Sequence, residues 1–266
     1  MKISNVTGAV LLAATALLMT LPSARADALA DVQQAKKIRV GIDLGLPPFG
    51  MTDEKLQPTG SDVETARLLA ADLRVELELV STTSAARVPS LQSGKADLVI
   101  SSLAITPERE KVIDFSQVYA VLRVVVAAPK DIVIKDFADL DGKTVGLARG
   151  TTQDLFFSQK VKNARVVRYE DEATTAQAYV TGQIDIFSTA ELVLRTIAEK
   201  NPSRKPEVKL VVRTSMLAVG VRKGEAGLLA RVNEFVKNNL KNGKLNAIYK
   251  KYHGTDLPDE VVRGGA

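Results

Sequence analysis

The run Ser101-Ser102-Leu103-Ala104-Ile105-Thr106-Pro107-Glu108-Arg109 lies between two apolar stretches, Ala96-Asp97-Leu98-Val99-Ile100 before it and Val112-Ile113-Asp114-Phe115-Ser116 after it. The first stretch reads as a strand. Small hydroxyl residues at the C-terminal end of a strand leave backbone N–H groups exposed, and in an open α/β sheet that end is where ligands bind. An arginine a few residues on adds a planar, permanently charged fork that grips a carboxylate through two parallel hydrogen bonds. The run therefore reads as a receptor for a small carboxylate. The competing reading is a plain strand-to-helix turn, with Thr106 as N-cap, Pro107 at the first helical position and Arg109 solvated. The cap belongs to both readings; only the fate of Arg109 separates them.

Outward from this run, strand and helix signals alternate. Ile38–Ile42 is a short apolar strand, and 45–60 is a loop rich in Gly, Pro and Asp. Asp62–Leu73 carries Val63, Ala66, Leu69, Ala70 and Leu73 at helical spacing, with Ser61 as its expected N-cap. Val75–Val80 is a strand, Arg87–Gln92 a short helix closed by Gly94, and Ala96–Ile100 the next strand. This βαβαβ order implies a parallel sheet covered by helices. A long extended run then spans Val121–Ala128, and a second βα series follows. It comprises strands at 143–148, 165–169 and 184–188 and helices at 152–160, 172–181 and 191–200. Val208–Val212 and Met216–Val221 are again extended, and two helices near 226–240 and 245–252 close the chain. Two α/β units of similar grammar, joined by crossings near 121–127 and 214–220, imply a clamp with its ligand site between the units.

The N-terminus suggests an export signal. Lys2 precedes an apolar run from Ala9 to Leu21, Pro22 breaks it, and Ala24-Arg25-Ala26 is a small-x-small cleavage pattern. The run is short of the roughly 20 residues a membrane span needs. There is no cysteine among the 266 residues, which excludes disulfides, thiol catalysis and a lipid-anchored N-terminal cysteine. Removing Lys2 and Arg25 with the leader leaves 34 basic against 31 acidic residues, a net charge of +3, so no nucleic-acid partner is expected. The lysine-rich stretch 237–251 reads as a solvated helix face, and the lone histidine, His253, as a surface residue of the same helical tail.

Taken together, these pieces resemble the polar amino acid-binding proteins of bacterial ABC importers, the solute-binding protein family 3. The resemblance rests on Val40-Gly41-Ile42-Asp43 with Pro47-Pro48-Phe49, Gly60-Ser61-Asp62-Val63, the run from Pro89 to Leu98, and the Ser101–Arg109 run. Asp114-Phe115-Ser116 with Tyr119, Gly150-Thr151-Thr152 and Gly182-Gln183-Ile184-Asp185 complete it, in the family's order and over nearly all the chain beyond the leader. It implies an α/β fold of two-lobed periplasmic-binding-protein architecture (type II), with two hinge crossings and the ligand cleft between lobes. The expected division is a signal peptide at 1–26, lobe 1 at 27–122 plus 217–266, and lobe 2 at 123–216. The implied function is a periplasmic, monomeric receptor that passes an amino acid or related small carboxylate to the membrane permease of an ABC importer, without a cofactor or metal. Two other functions compete. One is a secreted enzyme on this scaffold resembling the cyclohexadienyl dehydratases; the other is a ligand-binding partner of a separate sensor.

The resemblance also implies site residues. Arg109 would hold the ligand α-carboxylate, assisted by the backbone N–H groups of Ala104 and Thr152. Ser102 would contact the α-amino group, and Asp43 lies where some members bind a basic or polar side chain. Ser101 and Thr151 belong to the same two loops. Three positions depart from the pattern. Leu46 and Ser84 stand where many members carry an aromatic ring. Ala190 stands where the family carries the aspartate that neutralises the ligand ammonium, with Glu191 beside it. A buried ammonium with no counter-charge loses several kcal/mol. Either Glu191 substitutes for the aspartate or the ligand is not an ordinary α-amino acid. The competing reading of Glu191 is a first-turn carboxylate favoured by the helix dipole.

Overall fold

A computed structural model describes residues 27–264, so the leader at 1–26 lies outside the described residues. The first half contains α1 (Ala28–Ala35), β1 (Lys37–Ile42), the hairpin β2 (Met51–Thr52) and β3 (Pro58–Thr59), α2 (Ser61–Leu73) and β4 (Glu76–Ser81). It continues through α3 (Arg87–Gln92), β5 (Leu98–Val99), α4 (Pro107–Glu110) and β6 (Ile113–Pro129). The second series is β7 (Thr144–Ala148), α5 (Thr152–Lys160), β8 (Arg165–Tyr169), α6 (Glu172–Val180), β9 (Ile186–Ala190) and α7 (Glu191–Lys200). The chain ends with β10 (Pro206–Arg222), α8 (Ala226–Lys241), α9 (Lys244–His253) and α10 (Asp259–Val262).

Eight strands form one sheet in the order β4-β1-β5-β10-β6-β9-β7-β8. At its centre β10 and β6 run antiparallel over their full lengths, from Pro206 opposite Pro129 to Arg222 opposite Ile113. A parallel trio flanks each side. β5 joins the pair at Gly220 and Val221, near one end. β9 joins it at Val124–Ala127, toward the other. Between these attachments, Leu217 faces Ala120 and Met216 faces Val121, and the register shifts at Leu217/Ala218 and again at Ala218/Gly220. Only the two crossing strands bridge the sheet there. The two stretches read as separate, 208–212 and 216–221, are thus one strand. Arg213, Thr214 and Ser215 interrupt the apolar pattern but stay paired with Val124, Arg123 and Leu122.

Helix α8 shows why the packing holds. Leu228, Val232, Phe235, Val236 and Leu240 form its buried stripe, while Lys237 and Lys241 stay exposed. Each such side chain contributes about 1.5–3 kcal/mol on full burial. Helix α9 continues the pattern, but His253 is not a surface residue. Leu245, Tyr249 and His253 share one helical face. The imidazole lies 3.9 Å from the Tyr249 ring and 5.1 Å from Phe49, and it is buried. Burial, aided by the charge of Arg195, pushes its pKa down to about 4, so the ring is neutral at physiological pH.

Ser61 is likewise not the cap of α2. Gly60 holds that place with φ 122° and no side-chain cap. The first N–H groups of the helix go to the loop before it, Ser61 to the Pro48 carbonyl at 3.1 Å and Asp62 to Phe49 at 2.9 Å. A Cβ at Gly60 would stand 2.3 Å from the Phe49 oxygen. Gly60→Ala is therefore expected to destabilise the fold by roughly 2 kcal/mol or more. Chemical denaturation measures this, and an unchanged midpoint would contradict the assigned contact.

Candidate functional site: a charged cleft between the two halves

The decisive loop leaves β5 at Ser101 and Ser102. Ser102 has φ 46°, a left-handed conformation uncommon for a residue with a Cβ. Asp62, buried in the first turn of α2, holds it there. Its Oδ2 accepts the Ser102 N–H at 2.8 Å and the Ser102 hydroxyl at 3.1 Å, while Oδ1 accepts the Tyr119 hydroxyl at 3.0 Å. With its proton committed to Asp62, the Ser102 oxygen keeps lone pairs for a ligand donor. Ser101 is different. Its hydroxyl accepts the Asp43 N–H at 3.0 Å and it does not line the cleft. Asp43 does not line it either. One of its oxygens accepts the Gly45 N–H, the other has no partner, and burial raises its pKa above the usual carboxylate range.

Arg109 is not solvated. Its Nη1 donates to the Ala104 carbonyl at 2.6 Å, and its Nη2 reaches the Gly150 carbonyl in the other half at 2.9 Å. That leaves the other N–H groups of the fork available to an anion. Burial, with the charges of Arg87 and Arg213, lowers its pKa to about 9, which keeps it cationic at neutral pH. Thr106 caps α4 and Pro107 opens it, as the sequence implies. Across the cleft stands the N-terminus of α5. The Thr151 hydroxyl accepts the Asp154 N–H at 3.2 Å and donates to the Ala148 carbonyl at 2.7 Å. Thr152 and Gln153 follow in the first helical turn, where backbone N–H groups favour negative charge.

The cleft, together with the open solvent at its mouth, spans about 340 Å³. Leu46, Ser84, Ser102, Ala104, Arg109, Thr151, Thr152 and Ala190 line it, so eight of the residues read from the sequence converge. The halves touch at its rim, where a Cβ on Gly150 would lie 2.8 Å from Ala85 Cα.

Glu191 does not face this cavity. It pairs with Arg123 at 3.2 Å and with Arg195 at 3.8 Å, and it lines a separate groove with Tyr249 and Thr255. Ala190 is the last strand residue and Glu191 the first helical one. A one-residue step off the end of a strand turns the side chain to the opposite side. In this arrangement Glu191 is committed to two arginines outside the cavity and does not stand in for the missing aspartate.

Sequence reasoning missed four lining residues: Arg87, Leu122, Gln153 and Glu172. Arg87 is buried. Its Nε donates to the Ser84 carbonyl at 3.1 Å, and its Nη1 to those of Ser101 at 2.7 Å and Ser102 at 3.3 Å. Glu172, the first residue of α6, is also buried. Gln153 Nε2 donates to its Oε1 at 2.7 Å and Thr189 Oγ1 to its Oε2 at 2.8 Å. Burial pushes its pKa up to about 7, a rise that the Thr189 hydrogen bond and the Arg87 charge restrain. Each is the first residue of its helix, α3 and α6, and no motif in the sequence singled out either position.

The family profile of bacterial extracellular solute-binding proteins, family 3, matches residues 38–255. The chain belongs to that family. It is 31% identical over 228 residues to the L-cystine-binding protein TcyJ of Escherichia coli, covering 85% of this chain and 86% of that one. Among solved structures, it resembles the solute receptor for L-cysteine of Neisseria gonorrhoeae with a TM-score of 0.80, 32% identity, and coverage of 84% and 92%. An ancestral amino acid-binding protein, named as a precursor of cyclohexadienyl dehydratase, matches with a TM-score of 0.77, 32% identity, and coverage of 85% and 99%. The architecture is that of the type II periplasmic binding proteins.

Burial of Glu172 gives a stability prediction. Its folded pKa of about 7 lies above the ordinary 4.5, so the folded chain holds the proton more tightly. The stability this confers is full below about pH 4.5 and is lost as pH rises through about 7. Glu172→Gln removes the titration. Relative to the unliganded wild type, the variant should gain roughly 3 kcal/mol more at pH 8 than at pH 4. Paired denaturation curves measure this, and an equal difference at both pH values would contradict it.

Proposed function

We propose that this family member captures a small amino acid or related carboxylate between its two halves and presents it to the permease of an ABC importer. The observation that carries the reading is Arg109. It lines the closed cleft, bridges to Gly150 of the opposite half and keeps donors for an anion. Opposite it, the α5 N-terminus offers backbone N–H groups to the same carboxylate. Relatives are named for binding L-cystine, glutamine and L-arginine, which supports an amino acid as the ligand class. The leader supports export to the periplasm, and no helix among the described residues is long and apolar enough to cross a membrane. We place lobe 1 at 27–122 plus 217–266 and lobe 2 at 123–216, with bending where β6 and β10 alone bridge the sheet.

A second reading has one observation in its favour. A buried carboxyl with a pKa near 7, as at Glu172, is matched to general-acid work. Mass spectrometry of candidate ligands after incubation separates the two. Unchanged ligand supports the receptor, and a converted product supports an enzyme.

Two outcomes test the receptor. A thermal-shift panel of amino acids and small carboxylates identifies the best binder by mass action. Arg109→Ala should then weaken its binding about 30- to 4,000-fold by calorimetry, since removing one member of a desolvated charge pair costs about 2–5 kcal/mol. Affinity near wild type would contradict the role given to Arg109. Solution scattering should show a smaller radius of gyration on saturation with that binder. An unchanged profile would contradict closure.

A further inference from the structure

The cleft carries two guanidinium groups, Arg87 and Arg109, and one carboxylate, Glu172. The cations and the carboxylate are held in unlike ways. Arg87 is anchored to backbone carbonyls on the first half. Glu172 sits on the second half and makes no ion pair among the described residues; its partners are the neutral donors Gln153 and Thr189. No cation touches this buried carboxylate; only the field of Arg87, whose donors go to backbone carbonyls, favours its ionised form, so a cation in contact would stabilise it further. The structure also gives its location. Gln153 follows Thr152 in the first turn of α5, and Thr189 precedes Ala190, so both residues that hold Glu172 adjoin cleft-lining positions. The Glu172 carboxylate thus stands beside the helix terminus that faces Arg109. A ligand whose carboxylate meets Arg109 and whose cation meets Glu172 would occupy the one cavity that both line.

We infer that Glu172 binds the α-ammonium group of the ligand, so that this site takes zwitterionic α-amino acids and discriminates against carboxylates that lack the amine. The inference rests on the receptor reading above and adds the ligand's second charge. Ala190, on the same wall, supplies none.

The test uses the full chain and matched probes: L-amino acids and their 2-hydroxy acid analogues, in which a hydroxyl replaces only the amine. Wild type should bind its best L-amino acid at least about 30-fold more tightly than the analogue. Glu172→Gln should lose that preference, weakening the amino acid by about 30-fold or more while leaving the hydroxy acid nearly unchanged. Retained hydroxy acid binding also shows that the variant is folded. Wild-type preference for the hydroxy acid, or full amino acid affinity in Glu172→Gln, would overturn the inference. If Arg109→Ala weakens both probes while Glu172→Gln weakens neither, the receptor reading stands and only this inference fails. If Arg109→Ala weakens neither probe, or no probe binds, both fail.

The pH profile gives a second readout. Arg87 and Asp43 are the charged groups whose fields reach Glu172. Both remain in Glu172→Gln, so the difference between variants isolates Glu172. Wild-type affinity for the amino acid should fall as pH drops from 8 to 5, with a flatter profile for Glu172→Gln. Parallel profiles would overturn the inference.

Discussion

A guanidinium out of water and close to three buried carboxyl groups sets the character of this cleft. Arg87 gives up hydration to sit among the carbonyls of Ser84, Ser101 and Ser102. The charges of Asp43, Glu172 and Asp62 favour its ionised form against that burial. Its hydrogen bonds shape the loop that carries Ser101 and Ser102, and Asp62 fixes the left-handed turn at Ser102. Removing Arg87 would leave buried carboxyl groups short of compensation, a loss of several kcal/mol. The arrangement is a scaffold of opposed charges within which the ligand charges must fit.

The sheet gives this scaffold its two positions. Lobe 1 supplies the guanidinium groups and lobe 2 the α5 terminus and Glu172. Only β6 and β10 carry the sheet between the two trios, and their pairing is irregular near Ala218. Arg109 contacts Gly150 of the other half, and the proposed closure would strip water from the cleft and strengthen each charge interaction inside it. The same desolvation raises the free energy of Glu172 when no cation is present. A ligand that supplies the cation relieves it, so binding and the closed form support each other.

Much of this was legible in the sequence because its signals are local. The Thr106-Pro107 cap, the 3.6-residue stripe of α2 and the alternation of strands with helices each depend on neighbours within a few positions. Arg109 was legible because its loop follows a strand end. The misreadings have physical causes of a different range. Glu191 adjoins Ala190, but the change from strand to helix turns it to the other side of the hinge. His253 sits among exposed lysines, yet the i, i+4 face it shares with Leu245 and Tyr249 is buried. Glu172 depends on Gln153 and Thr189, 19 and 17 residues away, and no spacing rule links them. Arg87 depends on the carbonyls of a loop that only the fold brings beneath it.

The central claim is that the ligand answers the buried charge of Glu172. Calorimetry of L-amino acid binding at pH 6 in two buffers of different ionisation enthalpy counts the protons exchanged on binding. With a pKa of about 7 in the empty cleft, Glu172 is mostly protonated at that pH, and contact with an ammonium group should drive the proton off. The account predicts release approaching one proton per ligand at pH 6, fading by pH 8 and lost in Glu172→Gln. Binding at pH 6 with no proton released would contradict it.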